Sequence, residues 1–124
     1  MDKRKPTLIR HTVQDNHAEL ELRVDGDILY FQGHFDQFKL LPGVAQVDWA
    51  VFYARQYLNT PSAFKGMEVI KFQEPILPDA EVTLSLTWDE DKQKLAFKYT
   101  SMDGERLAVH ASGKMKLAQP DAEE

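Results

Sequence analysis

His34 and Asp48 stand fourteen positions apart and flank a Pro42-Gly43 step. An imidazole and a carboxyl group are common proton carriers in catalysis, one taking a proton while the other gives one. Chemistry beside a carbonyl group also needs a donor for the oxygen as it gains charge. The Gly43 N–H can be that donor if a helix begins there, because the first N–H groups of a helix lack intrahelical partners. Together the three parts fit acid/base chemistry on a carbonyl compound. Singly, each has an ordinary reading: Pro-Gly is unremarkable at a helix start, and a lone histidine is more often structural than catalytic.

His34 follows Gly33 and lies among Tyr30, Phe31, Phe35 and Phe38, in a segment read as a loop leading into a helix. Loops on a rigid scaffold are where catalytic side chains concentrate. The helix is read over Gly43–Leu58, with Val44, Val47, Val51, Ala54 and Leu58 at helical spacing and Ala45, Trp49, Ala50, Phe52 and Tyr53 filling most of the remaining circumference. Pro42 is placed in its first turn, and Asn59-Thr60-Pro61 ends it. A helix this apolar is expected to be buried on nearly all sides. Asp48 then falls on an apolar face near Val44, Val51 and Phe52. Two readings stay open there: a carboxyl kept protonated by burial as a general acid, or a polar residue at a subunit contact. Trp49, Phe52, Tyr53 and Tyr57 are read mainly as core rather than as the lining of a tunnel.

Outside the helix the pattern has period two. Ala18, Leu20, Leu22 and Val24 share one face, as do Val82, Leu84, Leu86 and Trp88, then Leu95, Phe97 and Tyr99, then Leu107, Val109, Ala111, Met115 and Leu117. Such alternation marks antiparallel strands with one dry face. Turns are read at Asp25-Gly26-Asp27, at 88–92 and at Met102-Asp103-Gly104-Glu105, with further strands at Lys65–Gln73 and Ile28–Gln32. The expected fold is α+β: a curved antiparallel sheet of five to six strands wrapped around one long buried helix. A single domain is expected over 1–124, with loose ends at about 1–5 and 119–124.

Composition narrows the chemistry. The 124 residues include no cysteine, which excludes disulfides, thiolate catalysis and Cys-ligated metals. The four histidines show no metal-ligand spacing, so no metal is expected, and His11, His17 and His110 are read as solvated surface. A net charge of −5 argues against nucleic acid as the main partner. No apolar run has the length of a membrane span, and with no targeting signal a cytoplasmic location is the default. Basic residues such as Lys3, Arg4, Lys65, Lys71, Lys92 and Lys94 are scattered along the chain, and Lys3, Arg4, Lys65 and Lys71 are the first candidates for docking an acidic partner.

The segments Phe31-Gln32-Gly33-His34-Phe35 and Leu41-Pro42-Gly43-Val44-Ala45-Gln46-Val47-Asp48 resemble the signature of the hot-dog-fold 3-hydroxyacyl-[acyl-carrier-protein] dehydratases of the FabA/FabZ type. Ile70-Lys71-Phe72 and Pro75-Ile76-Leu77-Pro78-Asp79 extend the likeness, which covers roughly Leu29 to Thr87. Two positions depart from the pattern: Asp36 and Lys39 stand where the family has proline. The acid is aspartate, as in the FabA branch. The helix start most resembles the FabZ-like dehydratases of aryl polyene pigment clusters (ApeI-like).

The resemblance implies His34 as the base that removes the α-proton of a 3-hydroxyacyl thioester. It implies Asp48 as the acid at the departing hydroxyl and Gly43 N–H as the donor to the thioester oxygen, with Phe35, Pro42 and Val44 against the substrate. It further implies no cofactor, because the phosphopantetheine arm belongs to the carrier protein that brings the substrate. Sites shared across a homodimer, a higher oligomer of such dimers or a heteromer with another hot-dog protein follow from the same likeness. A hot-dog acyl thioesterase and a non-catalytic carrier-binding partner are the alternatives.

Overall fold

A computed structural model describes residues 4–28, 40–61 and 63–119. Six strands appear there: β1 (Thr7–Gln14), β2 (His17–Val24), β3 (Ala63–Phe72), β4 (Ala80–Asp89), β5 (Lys94–Asp103) and β6 (Arg106–Ala118). They form one sheet in the order β1-β2-β4-β5-β6-β3, with every neighbouring pair antiparallel. The one helix among the described residues, α1 (Gly43–Leu58), lies against the inner face. This is the hot-dog architecture. The expected strand at Ile28–Gln32 falls outside the described residues, apart from Ile28, which is buried and not in a strand.

The period-two reading of β2, β4 and β5 holds, since each of the inward residues read there is essentially buried. They meet Ala45, Trp49, Ala50, Tyr53 and Ala54 of α1 in one continuous core. Two buried polar groups fix the helix within it. The Tyr99 hydroxyl on β5 donates to the Gln46 carbonyl at 2.6 Å, and the Trp49 indole N–H donates to the Arg4 carbonyl at 2.9 Å. Each satisfies a polar atom that burial would otherwise penalise.

The last strand departs from simple alternation. Tyr99 pairs with Ala111 but Thr100 pairs with Val109, so His110 is an extra residue, a bulge in β6. The phase slips by one there, which leaves Leu107 55% exposed and Val109 half-buried while Ala108 is buried. It also overturns the reading of His110 as solvated surface, for its exposure is only 7%. Its Nδ1–H donates to the Glu74 carbonyl at 2.9 Å, and in the neutral ring Nε2 accepts the Ser101 hydroxyl at 2.7 Å. His17, read the same way, is half-buried between Thr87 and Glu19, whereas His11 is exposed with its ring 4.5 Å from that of Tyr57.

β3 is bulged twice, at Lys65 and at Glu68, and β1 once, at Ile9. Bulges on both edge strands increase the local twist and bend the sheet round the helix. Gly113 permits the closest approach. A Cβ there would lie 2.6 Å from the Val69 carbonyl oxygen and 2.5 Å from Ile70 Cδ1. Because one of those atoms is backbone, we expect Gly113→Ala to destabilise the fold by about 1–3 kcal/mol, read as a lower urea midpoint.

Candidate functional site

The helix start is built from both sides. Leu41 is buried, and its N–H donates to the Ile76 carbonyl at 2.8 Å, which ties the approach to α1 to the segment after β3. Pro42 is the N-cap rather than a first-turn residue: its backbone is extended, at φ −61° and ψ 148°, and its carbonyl accepts from Ala45 and Gln46. Gly43 is thus the first helical residue. Among the described residues nothing accepts its N–H, and the first turn carries no acidic side chain. The helix ends at Asn59 in the left-handed region, φ 54°, as the sequence predicts.

Gly43 is glycine for reasons of space. A Cβ there would sit 2.7 Å from the tip of the Phe72 ring, at the end of β3. Phe72 is the site residue that sequence reasoning missed, although Ile70-Lys71-Phe72 was part of the likeness. Position in a strand does not reveal that its ring lies over the helix start.

The expectation of a helix buried all round is overturned. Val44 is 76% exposed, Phe52 is 41% exposed, and Asp48 between them is exposed as well. The buried residues are Ala45, Gln46, Trp49, Ala50, Tyr53 and Ala54, one face only. The sheet of one chain covers one side of a helix, and the apolar residues of the other side are left open. Asp48 is therefore not buried by its own chain, one turn along from Val44 on the same open face.

Behind that face lie Tyr99 and Gln46. Burial, to which the charges of Tyr53 and Asp48 add, pushes the Tyr99 phenol well above its ordinary value, so it remains a donor to the helix. Tyr53 is pushed up to about 12 by burial and by Tyr57. The buried Gln46 side chain donates through Nε2 to the Leu41 carbonyl at 3.3 Å, while its Oε1 has no partner among the described residues. His34 and Phe35 lie outside the described residues, as do Asp36 and Lys39, so Pro42, Gly43, Val44 and Asp48 are the expected site residues that can be placed. Among the described residues no three His, Asp or Glu side chains converge as metal ligands, and no helix is long and apolar enough to cross a membrane.

A sequence profile described as ApeI dehydratase matches residues 10–114. The chain belongs to the ApeI-like dehydratase family. A curated relative, the 3-hydroxyacyl-[acyl-carrier-protein] dehydratase FabZ of Koribacter versatilis (strain Ellin345), is 30% identical over 94 residues, 67% of this chain. The chain spans 59% of that relative's length. Among solved structures, the dehydratase heterocomplex ApeI:P from Xenorhabdus doucetiae aligns at TM-score 0.81 and 35% identity, over 93% of this chain and 99% of the other. An uncharacterised protein from Erwinia carotovora subsp. atroseptica aligns equally well, at 0.81 and 40% identity, over 92% and 96%. These matches carry the family and the hot-dog fold.

The Phe72 ring is half-exposed and able to swing away. Gly43→Ala is accordingly expected to cost less stability than Gly113→Ala, about 1 kcal/mol or less, in the same urea titration.

Proposed function

We propose that this chain dehydrates a 3-hydroxyacyl thioester, carried on an acyl carrier protein, to the trans-2-enoyl thioester, in aryl polyene or fatty acid biosynthesis. His34 takes the α-proton, and the electron pair of that C–H bond becomes the new carbon–carbon double bond. The C–O bond at the β-carbon breaks, and its pair leaves with the hydroxyl, which Asp48 protonates to water. The Gly43 N–H donates to the thioester oxygen while the α-carbon carries charge. Val44, Pro42 and Phe35 lie against the substrate. No cofactor takes part.

The observation that carries this reading is the helix start. Among the described residues the Gly43 N–H has no acceptor, the Phe72 ring stands beside Gly43, and an acid lies on the open face of the same helix. The roles of His34 and Asp48 rest on the family likeness and its spacing. Purified protein is expected to remove one water from a 3-hydroxyacyl carrier thioester, followed by mass spectrometry of the carrier. His34→Ala and Asp48→Asn should each slow it by roughly 100-fold or more. Release of free acid and carrier thiol would instead identify a thioesterase, and wild-type rates in both variants would discard the site.

The active form in this proposal is a dimer of hot-dog chains, with itself or with another hot-dog protein. Support comes from two apolar surfaces: the open face of α1 with Val44 and Phe52, and β3, an edge strand bearing exposed Phe64, Met67, Val69 and Phe72. Unpaired apolar edges of this kind are seldom left to water. A double Met67→Lys, Val69→Lys change should convert the protein to monomer mass by light scattering and lower turnover with it. Monomeric wild-type protein with full activity would refute the shared site.

A further inference from the structure

The lysines that look scattered in sequence converge on the outer face of the sheet. Lys98 on β5 pairs across with Ser112 on β6, which pairs with Lys71 on β3. In the adjoining rows Ala96 faces Lys114, and Lys94 faces Lys116. Neighbouring strands are about 4.8 Å apart, so these five ammonium groups share one small surface. Between them lies a shallow depression of about 610 Å³, floored by Ala96 and edged by Val69 and Thr87.

Counter-charge is scarce there. Lys94 pairs with Glu68 at 2.6 Å, but Lys71, Lys98 and Lys114 have no acidic partner among the described residues. Glu68 is held below the ordinary carboxylate range by its bond to Lys94, with the charges of Lys114 and Lys116 adding to it. The other end of the same outer face is acidic, with Glu19 and Glu21 on β2 and Glu81 on β4. A chain of net charge −5 has thus gathered a third of its fifteen basic residues on part of one face. Of the first candidates for docking, Lys71 belongs to this surface, whereas Lys65 is at the far end of β3, Arg4 lies beside α1, and Lys3 is outside the described residues.

We propose that this basic face of β3, β5 and β6 docks the acidic carrier protein that delivers the acyl chain. The proposal rests on the dehydratase reading above. Charge complementarity selects the occupant, because the carrier's phosphopantetheine is joined through a phosphodiester on an acidic surface, and a field of one sign steers such a partner. β3 links the face to the site. Lys71 points outward, and the next residue, Phe72, puts its ring against Gly43 on the inner side.

The test uses the full-length protein and a phosphopantetheinylated bacterial acyl carrier protein loaded with a 3-hydroxyacyl chain, beside the same acyl group on free pantetheine. The double change Lys98→Glu, Lys114→Glu should raise KM for the carrier substrate by about tenfold or more and leave kcat/KM for the pantetheine thioester within about twofold. Added salt should raise KM for the wild type with the carrier only. Glu81→Lys, at the acidic end, should not weaken the carrier substrate. Fluorescence anisotropy of the labelled carrier reads docking without turnover, and there too the double change must weaken binding. Unchanged carrier KM and unchanged anisotropy, or no carrier binding by the wild type, overturn the docking face. Carrier binding lost in the double variant, with neither substrate dehydrated by the wild type, upholds the face and refutes the dehydratase reading alone.

Discussion

The bond from the Tyr99 hydroxyl to the Gln46 carbonyl sets the roll of the helix, and the site depends on that roll. Tyr99 sits fully buried on β5, near the middle of the sheet, and reaches a main-chain oxygen at the end of the first turn of α1. A helix packed through alanines and rings can turn about its axis with small changes in apolar contact. A buried phenol that must find an acceptor cannot tolerate that turn, because an unmet buried donor costs about 1–3 kcal/mol. With Gln46 drawn to the sheet, Ala45, Trp49 and Tyr53 follow it inward. Val44, Asp48 and Phe52 are then left on the outside together.

A second set of ties fixes the axial position of the helix start. The segment after β3 is bonded to β6 through Gln73 to His110 and Glu74 to Val109, and the His110 ring adds its own bond to the Glu74 carbonyl. Arg106 clasps the Glu74 carboxylate with two bonds, at 2.9 and 3.1 Å. From this anchored segment the Ile76 carbonyl receives Leu41 N–H, directly before Pro42. The bulge at His110 therefore does more than bend a strand: it turns a histidine into a clamp for the peptide on which the helix start rests.

Much of this was legible in the sequence. The bounds of α1 follow from composition and from Asn59-Thr60-Pro61, and β2, β4 and β5 follow from strict alternation. The Gly33-His34-Phe35 and Pro42-Gly43 motifs, with Asp48, carried the family. What stayed hidden has a common cause. Periodicity reports faces within one element, and each surprise here comes from a relation between elements. The inserted residue at His110 shifts phase only against β5. The open face of α1 is a matter of how far one sheet extends round a helix. The basic surface exists only after β3 comes to lie beside β6, which brings Lys71 next to residues some forty positions away.

Gly43 shows why the distinction matters for chemistry. Its backbone is ordinary helix, so the usual reason for glycine, a positive φ, does not apply. The reason is the Phe72 ring, which occupies the place of a side chain. A residue with a Cβ would have to displace that ring, which is half-exposed and free to move. The tip of that ring stands beside Gly43 at the start of the helix, where the first N–H has no acceptor among the described residues. The glycine and the phenylalanine are thus a single packing feature split between α1 and β3.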